Sequence, residues 1–308
     1  PARMAPAWGG EEERMAGRFG TVITAMVTPF KEDGSLDLDR VQELVPWLLE
    51  HGNDGLVVAG STGEAATMND DEKIALWRAS VEAADGRGQI IAGTGTYDTA
   101  HTVHLTEAAT EAGADAILVV TPYYNKPPQR GLIEHFTRAA KATDKPVMLY
   151  NIPGRTATRI EHRTLLELAR VENIVAVKDS TGDVDGVSKL IAEAPSGFEV
   201  YCGDDWATFT FVCLGAVGVV SVPGHVVGER IRRMIDLIQG GDVPAARKLH
   251  QELTPVFDAM FITSNPIPVK AAMALIGQPV GPPRMPLPPA TEEEIATVRK
   301  ALEDAGAL

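Results

Sequence analysis

One lysine of this sequence follows an apolar segment without a break. Lys178 comes directly after residues 174–177 (Ile-Val-Ala-Val), where a buried β-strand would end. Lysine is rarely buried without a reason, and burial favours the neutral amine, the nucleophile that forms an imine with a carbonyl compound. The alternative is a strand-end lysine that pairs with Asp179 or Asp204. The sequence leaves both interpretations open.

Other groups that can bind anions or transfer protons also follow apolar segments. Tyr150 ends the preceding segment, so its phenol can exchange protons with a group on Lys178. Ser61 and Thr62 lie in a glycine-flanked loop, where they can relay protons, bind a carboxylate or cap a helix. Arg155 follows a Pro-Gly turn, and its guanidinium suits a carboxylate. Alternatively, Tyr150 is a structural residue with its hydroxyl satisfied at the barrel rim, and Arg155 is an ordinary surface arginine.

The sequence lacks the usual motifs for binding metals and nucleotides. His101, His104 and Glu107 share one face of a predicted helix, but the sequence has no His-Glu-x-x-His motif and no Cys/His spacing for zinc. It also has no phosphate-binding P-loop and no Gly-x-Ser-x-Gly turn. We therefore expect neither a metal nor a cofactor.

Eight short apolar segments precede these side chains. They are nearly continuously hydrophobic, as parallel strands buried on both faces are. Their first and last starts, at positions 21 and 216, lie 195 residues apart over seven intervals, about 28 residues per unit. This spacing predicts an α/β fold, a (β/α)8 TIM barrel with its active site at the carboxyl ends of the strands; an open doubly wound sheet is the alternative. The predicted strands are 21–27, 55–59, 89–93, 116–121, 146–151, 174–178, 198–202 and 216–222.

Helical periodicity fills the intervals and continues beyond the last strand. We expect an N-terminal extension outside the fold over residues 1–18, the barrel over 19–240 and a C-terminal helical region over 241–308. A proline-rich linker is predicted at 279–289. The predicted helices are 38–51, 71–84, 99–112, 131–142, 160–171, 185–194, 242–261, 266–276 and 291–305.

Charge and cysteine content restrict the partners. The chain has 28 Lys and Arg against 42 Asp and Glu, a net charge of −14, which disfavours nucleic acid and anionic membranes. Its two cysteines, Cys202 and Cys213, are too few for a disulfide framework. No apolar run is long enough for a membrane span or resembles a signal peptide. We expect a cytoplasmic protein that acts on small molecules.

Several loops together resemble those of the dihydrodipicolinate synthase family, from about residue 19 to the end. This family belongs to the superfamily of N-acetylneuraminate lyase and other pyruvate-dependent class I aldolases. The resemblance rests on residues 60–64 (Gly-Ser-Thr-Gly-Glu), 122–127 (Pro-Tyr-Tyr-Asn-Lys-Pro), 150–155 (Tyr-Asn-Ile-Pro-Gly-Arg), 177–178 (Val-Lys) and 203–205 (Gly-Asp-Asp).

The resemblance implies a reaction and a set of roles. The reaction is condensation of pyruvate with L-aspartate 4-semialdehyde, through an imine, to 4-hydroxy-tetrahydrodipicolinate in the diaminopimelate/lysine pathway. The implied roles are Lys178 as the imine-forming amine, Tyr150 as the acid/base, Ser61 and Tyr124 as the rest of a hydroxyl relay, Thr62 and backbone groups near Gly203 and Val220 as the pyruvate site, and Arg155 as the ligand of the semialdehyde carboxylate.

One feature of the sequence leaves other functions open within the same superfamily. Synthases of the family usually have Thr-Thr where this chain has Ser61 and Thr62, and the serine version resembles the lyases. Another pyruvate-dependent aldolase, such as an N-acetylneuraminate or keto-deoxy-sugar lyase, is therefore the alternative, followed by a non-catalytic binding barrel.

The resemblance also concerns assembly and regulation. It implies a homotetramer built from tight dimers, with Tyr124 reaching the neighbouring subunit's site. Lysine-sensitive synthases resemble one another in a groove that has an asparagine and a glutamate where this chain has Tyr97 and His101, although Tyr123 remains. Because the carboxylate that faces the ammonium of lysine is missing, we expect no inhibition by lysine.

Overall fold

Eight parallel strands form a closed barrel in sequence order, with β8 paired to β1. The computed structural model describes residues 17–308. The predicted TIM barrel is thus confirmed, and the open doubly wound sheet is wrong. The strands are β1 Val22–Ala25, β2 Gly55–Val58, β3 Gln89–Gly93, β4 Ala116–Val120, β5 Val147–Asn151, β6 Ile174–Asp179, β7 Glu199–Cys202 and β8 Gly218–Ser221.

Helices connect the strands and continue after the barrel. Three of them have no counterpart among the predicted helices. Helices α5 and α8 are segments of four and six residues that show little periodicity, whereas α9 has 16 residues and was missed despite its length. The helices are α1 Leu38–Glu50, α2 Asp70–Ala84, α3 Thr99–Glu111, α4 Gln129–Lys141, α5 Pro153–Thr156, α6 His162–Leu168, α7 Val184–Glu193, α8 Thr208–Cys213, α9 Gly224–Gln239, α10 Val243–Ala259, α11 Ile267–Leu275 and α12 Glu292–Asp304.

Side-chain caps fix where several helices begin. Asn69 and Glu72 form a reciprocal capping box at the start of α2, and Thr291 and Glu294 form another at the start of α12. Each box satisfies backbone N–H groups that have no partner inside the helix. Helix α2 is the helix that follows the loop containing Ser61.

The barrel interior is filled by side chains from all eight strands, so it is a packed core rather than a channel. A second and larger apolar layer lies between the strands and the helices and extends to α10, α11 and α12. The inner cluster consists of Phe19, Ile23, Ala25, Val57, Ile91, Ala116, Leu118, Met148, Tyr150, Ala176, Tyr201, Val217 and Val220.

The C-terminal segment returns to the carboxyl ends of the strands. Residues 279–289 contain no helix or strand, yet they are anchored: the Val280 carbonyl accepts a hydrogen bond from the Phe30 N–H at 3.1 Å. The Arg284 guanidinium lies 4.1 Å from the centre of the Phe30 ring and donates to the Gly34 carbonyl. This segment therefore covers part of the barrel mouth.

The division into three regions stays a prediction. Of the expected extension at residues 1–18, only Gly17 and Arg18 are described; the rest lies outside the described residues. The Gly17 carbonyl accepts from the Gly20 N–H, and the Arg18 N–H donates to Glu199. No helix within residues 17–308 is both long and apolar enough to cross a bilayer.

Candidate active site

Lys178 lies at the carboxyl end of β6, in register with Tyr150 on β5 and Tyr201 on β7. It is only 5% exposed, and its Nζ lies 4.2 Å from the centre of the Tyr150 ring. The amine forms no ion pair or hydrogen bond with any residue of 17–308. The pairing with Asp179 or Asp204 that the sequence left open is therefore absent from the described part of the chain.

A small pocket of about 40 Å³ surrounds this amine, and we call it the inner pocket. Its volume holds a few water molecules, the scale of a three-carbon acid. Most of the side chains singled out from the sequence meet here. The polar residues that line it are Ser61, Thr62, Tyr150, Arg155, Lys178, Asp204 and Asn265, together with Gly60 and Gly203.

Two of the predicted site residues do not line the inner pocket. Tyr124 is 92% exposed and lines neither the inner pocket nor the adjoining larger cavity, and its backbone φ is +73°. Val220 is fully buried in β8 within the barrel core, and Val222 lines the pocket at that strand instead. The roles expected for both residues stay predictions.

A larger cavity of about 380 Å³, the outer cavity, adjoins the inner pocket. The two share Ser61, Tyr150, Arg155 and Asn265 on their walls. The outer cavity extends along the segment that contains Pro286 and Leu287, which the C-terminal region contributes. A second substrate entering through this cavity would meet the Arg155 guanidinium, which has no partner among the described residues.

Two neighbouring carboxyl groups follow β7. Burial raises the pKa of Asp204, and the nearby Lys178 ammonium opposes this shift. Burial raises the pKa of Asp205 to about 7, although its oxygens accept hydrogen bonds from the Ser221 hydroxyl and the Val222 N–H. Asp204 lines the inner pocket, so a carboxyl group whose pKa is raised by burial lies near the amine.

Glycine at position 203 keeps the space around Lys178 open. A Cβ at Gly203 would lie 2.0 Å from the Ser180 Oγ and 3.1 Å from the Lys178 Cε. Any larger residue would push one of these side chains out of position. This close approach explains why a glycine follows β7 at the pocket.

The loop after β2 has a strained backbone at both ends. Ala59 and Glu64 have φ values of +56° and +57°, a region that residues other than glycine rarely adopt. Between them, the Ser61 side chain forms no hydrogen bond with a described residue. Strain of this kind persists where the surrounding structure enforces it, and it is common at active sites.

The C-terminal region holds this loop through a buried ion pair. Lys270 Nζ on α11 lies 2.7 Å from Glu64 Oε1, with side-chain exposures of 3% and 1%. The other oxygen, Oε2, accepts from the Arg284 N–H at 2.7 Å. Burial lowers the pKa of Lys270, and the Glu64 carboxylate opposes this. The loop is thereby joined to a segment about 200 residues away.

Asn265 and Lys270 are the site residues that sequence reasoning missed. Lys270 lies in an otherwise apolar helix, the same signal that singled out Lys178, so it could have been found. Asn265 lies in a loop between α10 and α11 where nothing in the local pattern marks it. The sequence marks Asp204 as part of the Gly-Asp-Asp segment and as a possible partner of Lys178, but not as a residue of the pocket wall.

The histidines of α3 lie outside the pocket. His101 Nε2 is 2.9 Å from Asp70 Oδ1, and His104 Nε2 is 3.8 Å from Oδ2. Within residues 17–308 no group of three or more candidate ligands is arranged to hold a metal ion. Tyr97 and Tyr123 form an edge-to-face ring pair beside the outer cavity; the expected insensitivity to lysine stays a prediction.

Comparison with known proteins decides the family. The model of the dihydrodipicolinate synthetase family matches residues 18–305. The chain belongs to this family. The 4-hydroxy-tetrahydrodipicolinate synthase of Acidothermus cellulolyticus is 51% identical over 94% of this chain and 93% of its own length. The synthase of Moorella thermoacetica is 47% identical and covers 94% of this chain and 100% of its own.

Solved structures of the dihydrodipicolinate synthetase family agree with the barrel. The Cyanidioschyzon merolae enzyme, crystallised with lysine bound, has a TM-score of 0.93 and 41% identity, and the match covers 95% of this chain and 100% of that chain. The Acinetobacter baumannii enzyme, complexed with pyruvate, has a TM-score of 0.91 and 38% identity over 94% and 100%. The resemblance read from the sequence is confirmed at the level of the family.

Proposed function

We propose that this chain condenses pyruvate with L-aspartate 4-semialdehyde to 4-hydroxy-tetrahydrodipicolinate, through an imine on Lys178. One observation carries this proposal: the Lys178 amine is buried and forms no ion pair or hydrogen bond with a described residue, in a pocket that also contains Tyr150 and Arg155. The two relatives described above are named 4-hydroxy-tetrahydrodipicolinate synthases. Their names favour synthase activity for this chain over the lyase activities of the same superfamily.

The first half of the reaction activates pyruvate. The neutral amine of Lys178 attacks the ketone carbon, and the resulting carbinolamine loses water to give a protonated imine. Removal of a proton from the methyl carbon then gives an enamine, with the iminium nitrogen as the electron sink. Tyr150 is suited to transfer these protons, because its ring lies beside Nζ and its hydroxyl has no partner among the described residues.

The second half joins the two substrates. The enamine carbon attacks the aldehyde, whose oxygen takes up a proton and becomes a hydroxyl. The amino group of the former semialdehyde then attacks the imine carbon and expels the Lys178 amine, which closes the ring and regenerates the enzyme. Ser61 lies on the wall shared by both cavities, where its hydroxyl can relay a proton between Tyr150 and the incoming aldehyde.

Binding of the two acids is divided between two groups. Thr62 and the backbone near Gly203 lie in the inner pocket and are assigned to the carboxylate of pyruvate. Arg155 lies on the boundary with the outer cavity and is assigned to the carboxylate of the semialdehyde, which its guanidinium can bind with two hydrogen bonds. A local cation of this kind attracts an anionic substrate to a protein of net charge −14.

We further propose a homotetramer of tight dimers in the cytoplasm, with Tyr124 contributed to the neighbouring subunit's relay. A tyrosine that is 92% exposed and held at a positive φ is a costly surface residue unless it packs against another chain. Backbone groups near Val220, at the end of β8, are assigned to pyruvate with those near Gly203. No cofactor is assigned.

Borohydride trapping tests the imine directly. Borohydride added with pyruvate should inactivate the enzyme and add the reduced pyruvate group to Lys178, as read by peptide mass spectrometry. Lys178→Arg should abolish the adduct, whereas Lys189→Arg, at an exposed lysine on α7, should retain it. Label on Lys126 or Lys189, or no label at all, would show that the proposed mechanism is wrong.

A further inference from the structure

Thr62 receives a hydrogen bond from a residue of the C-terminal region. The Asn265 Nδ2 donates to Thr62 Oγ1 at 2.8 Å across 203 residues of chain. Both residues are buried, at 6% and 4% exposure, and both line the inner pocket. The contact thus joins the loop between α10 and α11 to the loop that follows β2.

The direction of this hydrogen bond determines what Thr62 can do next. A hydroxyl has one proton to donate and two lone pairs that accept. Because one lone pair accepts from Asn265, the proton must point elsewhere, and Thr62 Oγ1 donates to no atom of the described residues. The hydroxyl proton is therefore available to the inner pocket.

We propose that Asn265 is a positioning residue that directs the Thr62 hydroxyl proton toward the carboxylate of pyruvate. This inference rests on the proposed function, since it takes pyruvate as the occupant of the inner pocket. If Asn265 accepted a hydrogen bond from Thr62 instead, the Thr62 hydroxyl proton would point toward Asn265. A lone pair of Thr62 Oγ1 would then face the carboxylate of pyruvate and repel it. Recognition of a carboxylate requires a donor, so the donating amide is the arrangement that fits the substrate.

Asn265 also has an oxygen without a partner. Its Oδ1 is buried and forms no hydrogen bond with a described residue. A buried amide oxygen in this state has a free-energy cost, and a leucine of similar size at this position would avoid it. The role of the amide is therefore its donor, which within residues 17–308 is used only in the contact with Thr62.

The test measures pyruvate binding as the pyruvate concentration that gives half-maximal borohydride labelling of Lys178. Asn265→Asp keeps the shape but accepts where the amide donated, so Thr62 must donate to it. We expect this variant to raise the half-saturating concentration about ten- to a hundredfold, the effect of one hydrogen bond to a charged group. Asn69→Asp adds the same charge at an exposed helix cap that tolerates aspartate and should leave labelling unchanged.

A double-mutant cycle separates positioning from charge repulsion. In a Thr62→Val background the hydroxyl is gone, so Asn265→Asp should have a much smaller effect there than in the native background. An equal effect in both backgrounds would overturn the proposal, because Asn265 would then act by charge or by general structure and not through Thr62.

Pyruvamide serves as an uncharged ketone that needs only Lys178. The Asn265 variants should still be labelled with pyruvamide at near-native concentration, which a merely structural defect would prevent. Loss of labelling with both ketones in the variants would overturn the positioning role. Loss of labelling with both ketones in the native enzyme would instead overturn the proposed imine chemistry, so the two failures are distinguishable.

Discussion

At the scale of single residues, the site is defined by two cations that form no ion pair with any residue of 17–308. Lys178 is buried and Arg155 is exposed at the cavity boundary, and neither forms an ion pair with a described residue. Elsewhere on the surface, arginines such as Arg159 and Arg138 pair with nearby carboxylates. These two side chains match the chemistry of the two proposed substrates. The Lys178 amine attacks the ketone of pyruvate, and the Arg155 guanidinium binds the carboxylate of the semialdehyde.

Replacing Arg155 should weaken binding of the semialdehyde and leave binding of pyruvate largely unchanged. Arg155→Ala should raise the KM for the semialdehyde about ten- to a hundredfold and lower kcat, because a hydrogen-bonded charge contact to that substrate is lost. Labelling of Lys178 with pyruvate and borohydride should change little. Arg163→Ala, at an exposed arginine on α6, is the matched control and should leave both unchanged. An equal loss of pyruvate labelling would place Arg155 in the pyruvate site or the fold.

Single residues differed in how well the sequence could predict them. Lys178 was identifiable because a charge inside an apolar strand contradicts its surroundings, and its neighbours on other strands followed from the barrel. Asn265 was not, because its role depends on a contact with Thr62 that the tertiary fold brings about across 203 residues. A lone asparagine between two helices has no local feature that distinguishes it from a loop residue.

Most elements with a long pattern were predicted, and the short helices α5 and α8 were missed. The exception is α9, a 16-residue helix that was also missed and whose backbone is non-helical at Val227. The eight strands were recognisable because strands buried on both faces are continuously apolar. Their ends were not, since the apolar run at 21–27 continues past the last residue of β1, Ala25, into the loop above the barrel. The four-residue helix α5 carries Arg155, yet a single turn has no periodicity to detect.

At the scale of elements, the Glu64–Lys270 ion pair joins the loop after β2 to α11, and breaking it should lower the free energy of unfolding. Lys270→Met leaves the buried Glu64 carboxylate without its cation, so we expect the free energy of unfolding to fall by about 3–5 kcal/mol. The double variant Glu64→Gln with Lys270→Met has no buried charge there and should recover part of that loss. Urea unfolding at one fixed protein concentration measures both.

An exposed ion pair provides the control for this prediction. Lys300 pairs with Asp304 on α12, with side-chain exposures of 74% and 55%, and such pairs contribute less than about 1 kcal/mol. Lys300→Met should therefore change the unfolding free energy little. If Lys270→Met were no more destabilising than Lys300→Met, the buried pair would not be what holds the loop after β2 to α11.

At the scale of the whole molecule, the proposed hydroxyl relay includes Tyr124, which does not line the pocket of its own chain. Ser61 and Tyr150 line the inner pocket, whereas Tyr124 is exposed beyond it. A symmetric dimer presents the same loop of each subunit to the other, so each exposed tyrosine can complete the partner's site. The shared site stays a prediction, because assembly depends on surfaces that have no simple sequence pattern.

Mixing two inactive variants tests whether the site is shared. Tyr124→Phe subunits retain Lys178, and Lys178→Ala subunits retain Tyr124, so a mixed dimer has one site with both residues intact. With complete exchange of equal amounts, half of the dimers are mixed, and activity should return to about one quarter of the native value. Tyr150→Phe mixed with Lys178→Ala is the control, because both residues line the same chain's pocket and no mixed dimer has a complete site. Recovery equal to this control, with exchange demonstrated by mass spectrometry of the intact assemblies, would mean that each site is built from one chain.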